Sequence, residues 1–315
     1  RALYEVDIAH TAICDLYRPF SLDALRLAQK RGLPHVFFID TDIVVQMRNL
    51  IEAGLIRPGP DRALYVRAYE RALRRIVAGA DVSFLKGQAL IKRYGGYARN
   101  AKLFQDTSYQ SGEVVGEAAV ETRLASREAG VLRLVYAGRL VGRKGCDQAI
   151  DIVAKARDKG SDVTLDLIGD GEDRAALEAQ AARLGQGAAI RFLGEQPYGP
   201  DLLQALAAYD GLLFTPLSED TPRMIFDGYA AGLPLLGYDI PYVRERAAEE
   251  QATVLLPSGD IAGAADELVR LAADSGRLAH LARTALRAGY DNASDVWYRR
   301  RAAWTLEALD RARGA

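Results

Sequence analysis

The chain has 315 residues, 41 of them basic and 42 acidic, for a formal net charge of −1, and 49% of it is hydrophobic. That balance excludes bulk attraction to nucleic acid or anionic lipid, so any phosphate site must be local, while the length allows two domains with separate cores. Two cysteines, Cys14 and Cys146, are too few for a disulfide framework, and neither stands in a Cys-x-x-Cys or Cys/His cluster. A reducing, cytoplasmic setting is expected, with peripheral contact at the inner membrane face left open. No apolar run approaches the roughly 18 residues of a bilayer span.

The chain opens at Arg1 and enters a strand pattern within a few residues, so N-terminal sequence is expected to be missing. Over residues 1–106, β-like runs at 7–13, 35–39, 81–85 and 102–105 alternate with helical patterns at 21–30 and 61–77. This is the signature of βαβ units in a parallel sheet. The helix from Asp61 carries Tyr65, Tyr69, Leu73 and Ile76 at helical spacing, with Arg67, Arg71, Arg74 and Arg75 mostly on other faces. A solvated surface is the plain reading of those arginines, and anionic lipid the alternative. Asp40-Thr41-Asp42, after the run 36–39, looks like the Asp-x-Asp metal triplet of the GT-A glycosyltransferases. It reads more simply as a strand-end turn that caps a helix, and no metal is assigned. The three histidines, His10, His35 and His280, have no mutual spacing that suggests a metal site or a triad. His35 and His280 are read as structural or surface residues.

Residues 107–130, rich in Ser, Gly and Glu, read as an interdomain linker. Beyond it, in 131–290, strands at 132–137, 162–168, 190–193, 212–214, 235–238 and 253–256 alternate with helices at 147–159, 174–184, 201–208, 222–231 and 263–273. The pattern is a complete doubly wound parallel sheet. A last helix, 296–311, falls in the segment 291–315. The loop after the first of these strands contains Gly138, Arg139, Gly142, Arg143, Lys144 and Gly145. Its glycine intervals do not make Gly-x-Gly-x-x-Gly, yet backbone N–H groups and cations in such a loop can surround phosphate; solubility charges on a turn are the plainer alternative. Gly169 and Gly171 allow a tight strand-to-helix turn, and Gly194-Glu195 follows the third strand.

The stretch 209–239 packs strand, acidic loop, helix and strand into one unit. After 212–215 come Pro216, Ser218, Glu219, Asp220 and Thr221. Thr221 is expected to cap a helix that starts at Pro222 and stops at Gly232, ahead of Pro234. Such a helix aims free N–H groups beyond the carboxyl end of the preceding strand, where ligands of open α/β sheets bind. Glu219 and Asp227 lie eight residues apart. Taken singly, one complements the helix dipole and the other is a solvated helical residue. Taken together, they can accept hydroxyls from two parts of one polyol.

These residues resemble the GT-B-fold, retaining glycosyltransferases of family 4, the glycosyl transferases group 1. The family's hallmark is Glu, seven residues, Glu, then Ala-Ala-Gly-Leu-Pro. Here it reads Glu219, seven residues, Asp227, and then Ala230 to Pro234. The loop Gly138-Arg139-x(4)-Lys144-Gly145 is similar to the family's Gly-Arg-x(4)-Lys-Gly, and Gly169-Asp170-Gly171 to its Gly-x-Gly turn. Asp7-Ile8-Ala9-His10 resembles part of its acceptor-side domain, whose first strand and glycine-rich loop have no counterpart here. The resemblance implies an α/β protein of two Rossmann-like doubly wound domains facing a cleft, the N-terminal one incomplete. The acceptor-side domain would be 1–106 and the donor-side domain 131–290, with 291–315 packing back toward the former. It implies transfer of a sugar, with retention and without a metal or cofactor, from a nucleoside-diphosphate sugar to an acceptor. That acceptor is unspecified: glycan, lipid-linked sugar or small molecule. Arg139, Lys144 and Glu219 inherit the catalytic role, the two cations on the diphosphate and the acid on the sugar. Donor binding falls to Gly138, Arg139, Lys144, Glu219, Asp220, Thr221 and Asp227, the last on the ribose. Two departures stand out: the second acid is Asp, and Asp40 stands where many members carry a sugar-contacting His. Asp40 and His10 are therefore acceptor-side candidates. A nucleotide-sugar epimerase, or a degenerate subunit that binds nucleotide sugar, is the alternative.

Overall fold

The computed structural model describes residues 6–12, 20–52, 57, 59–217 and 222–314. The chain divides into two compact units, residues 1–106 with 297–315, and residues 107–296.

In the first unit the elements run β1 (Ala9–Ala12), α1 (Phe20–Lys30), β2 (His35–Ile39), α2 (Ile43–Glu52), α3 (Pro60–Gly79), β3 (Val82–Lys86), α4 (Gly87–Tyr94) and β4 (Ala101–Phe104). The strands form one sheet in the order β1-β2-β3-β4, all parallel. Because side chains alternate across a strand, neighbouring residues serve opposite faces. Phe37, Ile39 and Leu85 pack with Leu25, Leu73, Ile76 and Val77 of α1 and α3, while Val36, Val82, Phe84 and Phe104 pack with Trp297 and Ala308. Both latter residues belong to α13 (Ser294–Gly314), so both faces of the parallel sheet are covered, as such sheets require.

Two expectations meet their outcome here. The run 7–13 forms a strand only over Ala9–Ala12, and Ile13 lies outside the described residues. Asp40-Thr41-Asp42 is a capping turn: Asp42 Oδ1 accepts the N–H groups of Val44 and Val45 at 3.1 Å each, and Oδ2 accepts Arg93 at 3.2 Å. The helix that this cap starts, α2, was not expected from periodicity. On α3, Arg74 pairs with Glu70 at 2.7 Å and lies over the Tyr97 ring, so part of the arginine face is occupied by the unit's own residues.

The second unit carries β5 (Val131–Ala137), α6 (Cys146–Asp158), β6 (Asp162–Ile168), α7 (Arg174–Arg183), β7 (Ile190–Gly194), α8 (Pro200–Leu206), β8 (Gly211–Phe214), α9 (Met224–Ala230), β9 (Leu235–Tyr238), α10 (Pro241–Glu250), β10 (Thr253–Leu256), α11 (Ile261–Ala273) and α12 (Ser275–Asp291). The sheet is parallel throughout, ordered β10-β9-β8-β5-β6-β7. β5 has β6 on one side and β8 on the other, so the chain winds outward in both directions from the β5/β8 pair. In open sheets the crevice beyond such a reversal takes the ligand.

The linker expectation for 107–130 is corrected. These residues contain α5 (Glu117–Ser126) and belong to the second unit, because Tyr109, Val114, Val115 and Val120 are buried in its core beside Val135, Phe226 and Tyr229. The few large apolar residues of the stretch are all used as anchors. α5 and α12 both fall outside the predicted helices.

Arg123 of α5 fixes the far end of α9. Its guanidinium donates to the carbonyls of Ala207, Ala231 and Gly232 at 3.0, 3.3 and 2.7 Å, and burial lowers its pKa to about 10. Gly232 ends the helix as expected. It is left-handed at φ 68°, and the N–H groups of Gly232 and Leu233 return to Tyr229 and Gly228, the Schellman arrangement.

Candidate functional site

The loops after β5 and β8, adjacent in the sheet, are tied to each other. The Thr215 hydroxyl, fully buried, donates to the Gly145 carbonyl at 2.8 Å, and the Leu217 N–H donates to the Arg143 carbonyl at 3.0 Å. The β5 loop closes as a short 3-10 turn over Gly142–Lys144. It is anchored by Leu140, wholly buried, whose N–H bonds the Asp170 carbonyl and whose carbonyl accepts the Asp173 N–H. Arg139 is exposed and Lys144 half-buried; Lys144 lines a recess with Tyr136, Phe214, Pro222 and Met224. A rigid loop thus presents cations at the carboxyl end of the central strands.

The glycines hold this geometry by close approach. Gly145 sits at φ 64°, where a Cβ would come 1.9 Å from the Thr215 carbonyl oxygen. A Cβ on Gly169 would lie 2.0 Å from the Gly138 oxygen, and one on Gly171 2.2 Å from the Leu140 oxygen. The Gly-x-Gly turn therefore exists so that the loops after β5 and β6 can touch. Gly145→Ala is expected to destabilise the fold by about 2 kcal/mol or more, the left-handed backbone alone accounting for ~1–2 kcal/mol. Denaturant unfolding at neutral pH measures this directly.

Glu219, Asp220 and Thr221 lie outside the described residues. The helix that follows departs from expectation at its start: the described α9 begins at Met224 with Arg223 as its N-cap. The Ile225 and Phe226 N–H groups return to Pro222 and Arg223, a tighter turn that leads into the α-helical ladder.

Asp227 is not a solvated helical residue. Every residue from Ile225 to Ala230 is buried, and Asp227 is 4% exposed. α12 seals one side so closely that a Cβ on Gly289 would lie 2.6 Å from the Tyr229 carbonyl oxygen. Burial pushes the Asp227 carboxyl up from 3.8 to about 6, against the lowering effects of a hydrogen bond from Tyr198 and of the Arg223 charge. The Tyr198 hydroxyl, from the loop after β7, donates to Asp227 Oδ1 at 3.0 Å. It is itself hydrogen-bonded by Ser108, whose hydroxyl oxygen accepts Arg223 at 3.0 Å. Ser108, Tyr198 and Arg223 were not singled out from the sequence. They come together from positions up to 115 residues apart, and Ser108 lies in the segment read as a linker.

His10 and Asp40 both belong to the first unit. His10 sits within β1, its ring 5.9 Å from that of Phe38, and desolvation lowers its pKa. Asp40 is exposed just past the end of β2. His35 is buried, its ring bonded to the Thr11 hydroxyl at 2.8 Å and its backbone N–H donating to the Asp81 carboxylate, and burial lowers its pKa to about 4. Among the described residues, no helix is long and apolar enough to cross a membrane.

Residues 132–274 match the family model described as Glycosyl transferases group 1. The chain is 27% identical over 139 residues to 2-deoxystreptamine glucosyltransferase of Streptomyces kanamyceticus, covering 44% of this chain and 36% of that protein. It is 30% identical over 145 residues to the lipopolysaccharide core biosynthesis glycosyltransferase LpsE of Rhizobium meliloti, with coverage of 46% and 41%. The chain thus spans well under half the length of these relatives. Among solved structures, Anabaena HepE in complex with UDP superposes with a TM-score of 0.67 at 17% identity, covering 95% of this chain and 79% of that one. The alpha,alpha-trehalose-phosphate synthase (UDP-forming) of Burkholderia vietnamiensis gives a TM-score of 0.63 at 17% identity, covering 92% and 71%. Two Rossmann-like units with parallel sheets and these neighbours give the chain the GT-B fold, and its residues 132–274 are similar to the Glycosyl transferases group 1 family.

Proposed function

We propose that the protein is a glycosyltransferase that moves a sugar from a nucleoside-diphosphate sugar to an acceptor, with retention of anomeric configuration and without a metal. The observation that carries this reading is the locked β5 loop with Arg139 and Lys144 at the β5/β8 reversal, set beside a helix that holds a buried acid. The difficult step is departure of a diphosphate that gains negative charge. Arg139 and Lys144, fixed by the glycine contacts beneath them, neutralise that charge with little reorganisation. Asp227 accepts ribose hydroxyls, Glu219 takes the donor sugar, and Asp220 and Thr221 take part in donor binding. His10 and Asp40 stand on the acceptor side. The relatives that carry glycosyltransferase names and the structural neighbours crystallised with UDP support this assignment, and they make UDP the first nucleotide to try. The acceptor is a glycan, a lipid-linked sugar or a small molecule.

The test is to follow UDP- and GDP-sugars by NMR with and without a panel of sugar acceptors. Acceptor-dependent release of nucleoside diphosphate, with a product of the donor's own anomeric configuration, is expected. Conversion of the donor to another nucleotide sugar without acceptor would overturn the reading in favour of an epimerase. Tight nucleotide binding with no turnover across the panel would favour a binding subunit.

A further inference from the structure

The strongest unexplained feature is the hydrogen-bond chain that ends on Asp227. Arg223 donates to Ser108 at 3.0 Å, Ser108 hydrogen-bonds Tyr198, and Tyr198 donates to Asp227 Oδ1 at 3.0 Å. The chain runs from a guanidinium to a carboxylate. The Tyr198 side chain is unusual for a structural tyrosine. The residue is 52% exposed, yet its hydroxyl is held against a buried acid. An exposed aromatic contributes little to the core, so the placement serves the hydroxyl.

We propose that Tyr198 is a positioning residue: fed by Arg223 through Ser108, its hydroxyl orients one oxygen of Asp227 and leaves the other to accept a ribose hydroxyl of a nucleoside diphosphate. This rests on the nucleotide-sugar reading of the site. A carboxylate has about four acceptor positions on two oxygens, so occupation of Oδ1 by Tyr198 does not use up the group. An aspartate buried on a short helix reaches less far than a glutamate, and a fixed orientation of its remaining oxygen then decides whether a ribose can be met. The charged and titratable groups facing Asp227 are Tyr198 from the loop after β7, Arg223 from the start of its own helix, and Tyr109 from the segment before α5; Glu113 faces Tyr198. Of these, Tyr198 and Arg223 favour the ionised carboxylate, which is the form that can accept.

The measurement is the titration of Asp227 by carboxyl carbon NMR in the wild-type chain, Tyr198→Phe and Ser108→Ala, beside the affinities for UDP, GDP and inorganic pyrophosphate from pH 6 to 8.5. In Tyr198→Phe the Asp227 midpoint should rise by about one pH unit, since a lost hydrogen bond to a charged group is of that order. Affinity for the nucleoside diphosphate that binds should fall at least about fivefold at pH 6, where protonation adds to the lost orientation, and should stay below wild type at pH 8.5, where both carboxylates are ionised and only the orientation differs; full convergence at pH 8.5 would overturn the positioning role. Pyrophosphate, which has no ribose, should bind equally to both proteins. Ser108→Ala should move the midpoint the same way by less. An unmoved midpoint, or equal losses for pyrophosphate and nucleotide, would overturn the proposal. A midpoint that moves while the wild-type chain binds neither nucleotide would keep Tyr198 as the group orienting Asp227 and overturn the nucleotide reading instead.

Discussion

Asp227→Asn should make the protein more stable and less able to bind nucleotide. The carboxyl titrates near 6 in the folded chain against 3.8 as its ordinary value, because it is buried. The native state therefore holds that proton more tightly than the unfolded one. Its contribution to stability is fully present below pH 4 and is lost as the pH rises through 6. At pH 7.5 the buried charge costs about 3 kcal/mol relative to the fully protonated carboxyl, most of it gained above pH 4. Asparagine keeps an oxygen for the Tyr198 hydroxyl and carries no charge to bury. Denaturant unfolding of both proteins at pH 4 and 7.5 should therefore show a gain of up to about 3 kcal/mol for the variant at pH 7.5 and little difference at pH 4. Nucleoside-diphosphate affinity should fall at the same time. A stability difference independent of pH would mean that the cost of Asp227 is not its charge. A buried acid with a raised pKa, kept at a cost in stability, is a candidate binding-site residue.

Arg139→Ala and Lys144→Ala should each lower turnover of the nucleotide sugar by about 10²–10³, the usual loss on removing one preorganised donor to a developing negative charge. Arg139 is exposed and Lys144 half-buried, so neither replacement should move the unfolding midpoint much, and surface substitutions typically stay within about 0.5 kcal/mol. The loss should fall mainly on kcat, since the diphosphate carries more charge in the transition state than in the bound donor. Steady-state kinetics of the single variants beside their thermal unfolding measures both. Equal activity in variant and wild type would reduce the loop to a charged turn.

The second unit was legible because its determinants are local. Strand runs such as 132–137, helix stops such as Gly232, and the glycines of the β5 and β6 loops depend on backbone requirements that a few neighbouring residues state. That β5 and β8 are neighbours, which sets the two loops side by side, comes from the strand order of the folded sheet. What was missed is non-local. Ser108 and Tyr198 reach Asp227 and Arg223 through tertiary packing, and no spacing announces such a meeting. The stretch 107–130 looked like a linker because it has few large apolar residues, yet Tyr109, Val115 and Val120 suffice to fix it. Asp227 carried an ambiguous signal, since a carboxylate on a helix usually faces water. Only the burial of α9 on all sides, beneath α12 and beside α5, turned it inward. The helix start moved to Met224 for a related reason: proline fixed the turn but not where the α-helical ladder begins.

The central claim is that the β5 loop takes the diphosphate of a nucleotide, and thermal unfolding with UDP and GDP separately, in the wild-type chain and in an Arg139→Ala, Lys144→Ala double variant, tests it most directly. Ligand at 100 times its dissociation constant adds about 2.7 kcal/mol to native stability. The unfolding temperature of the wild type should rise with one of the two nucleotides, and that rise should be abolished in the double variant. No shift with either nucleotide, or a shift that the double variant retains, would contradict it.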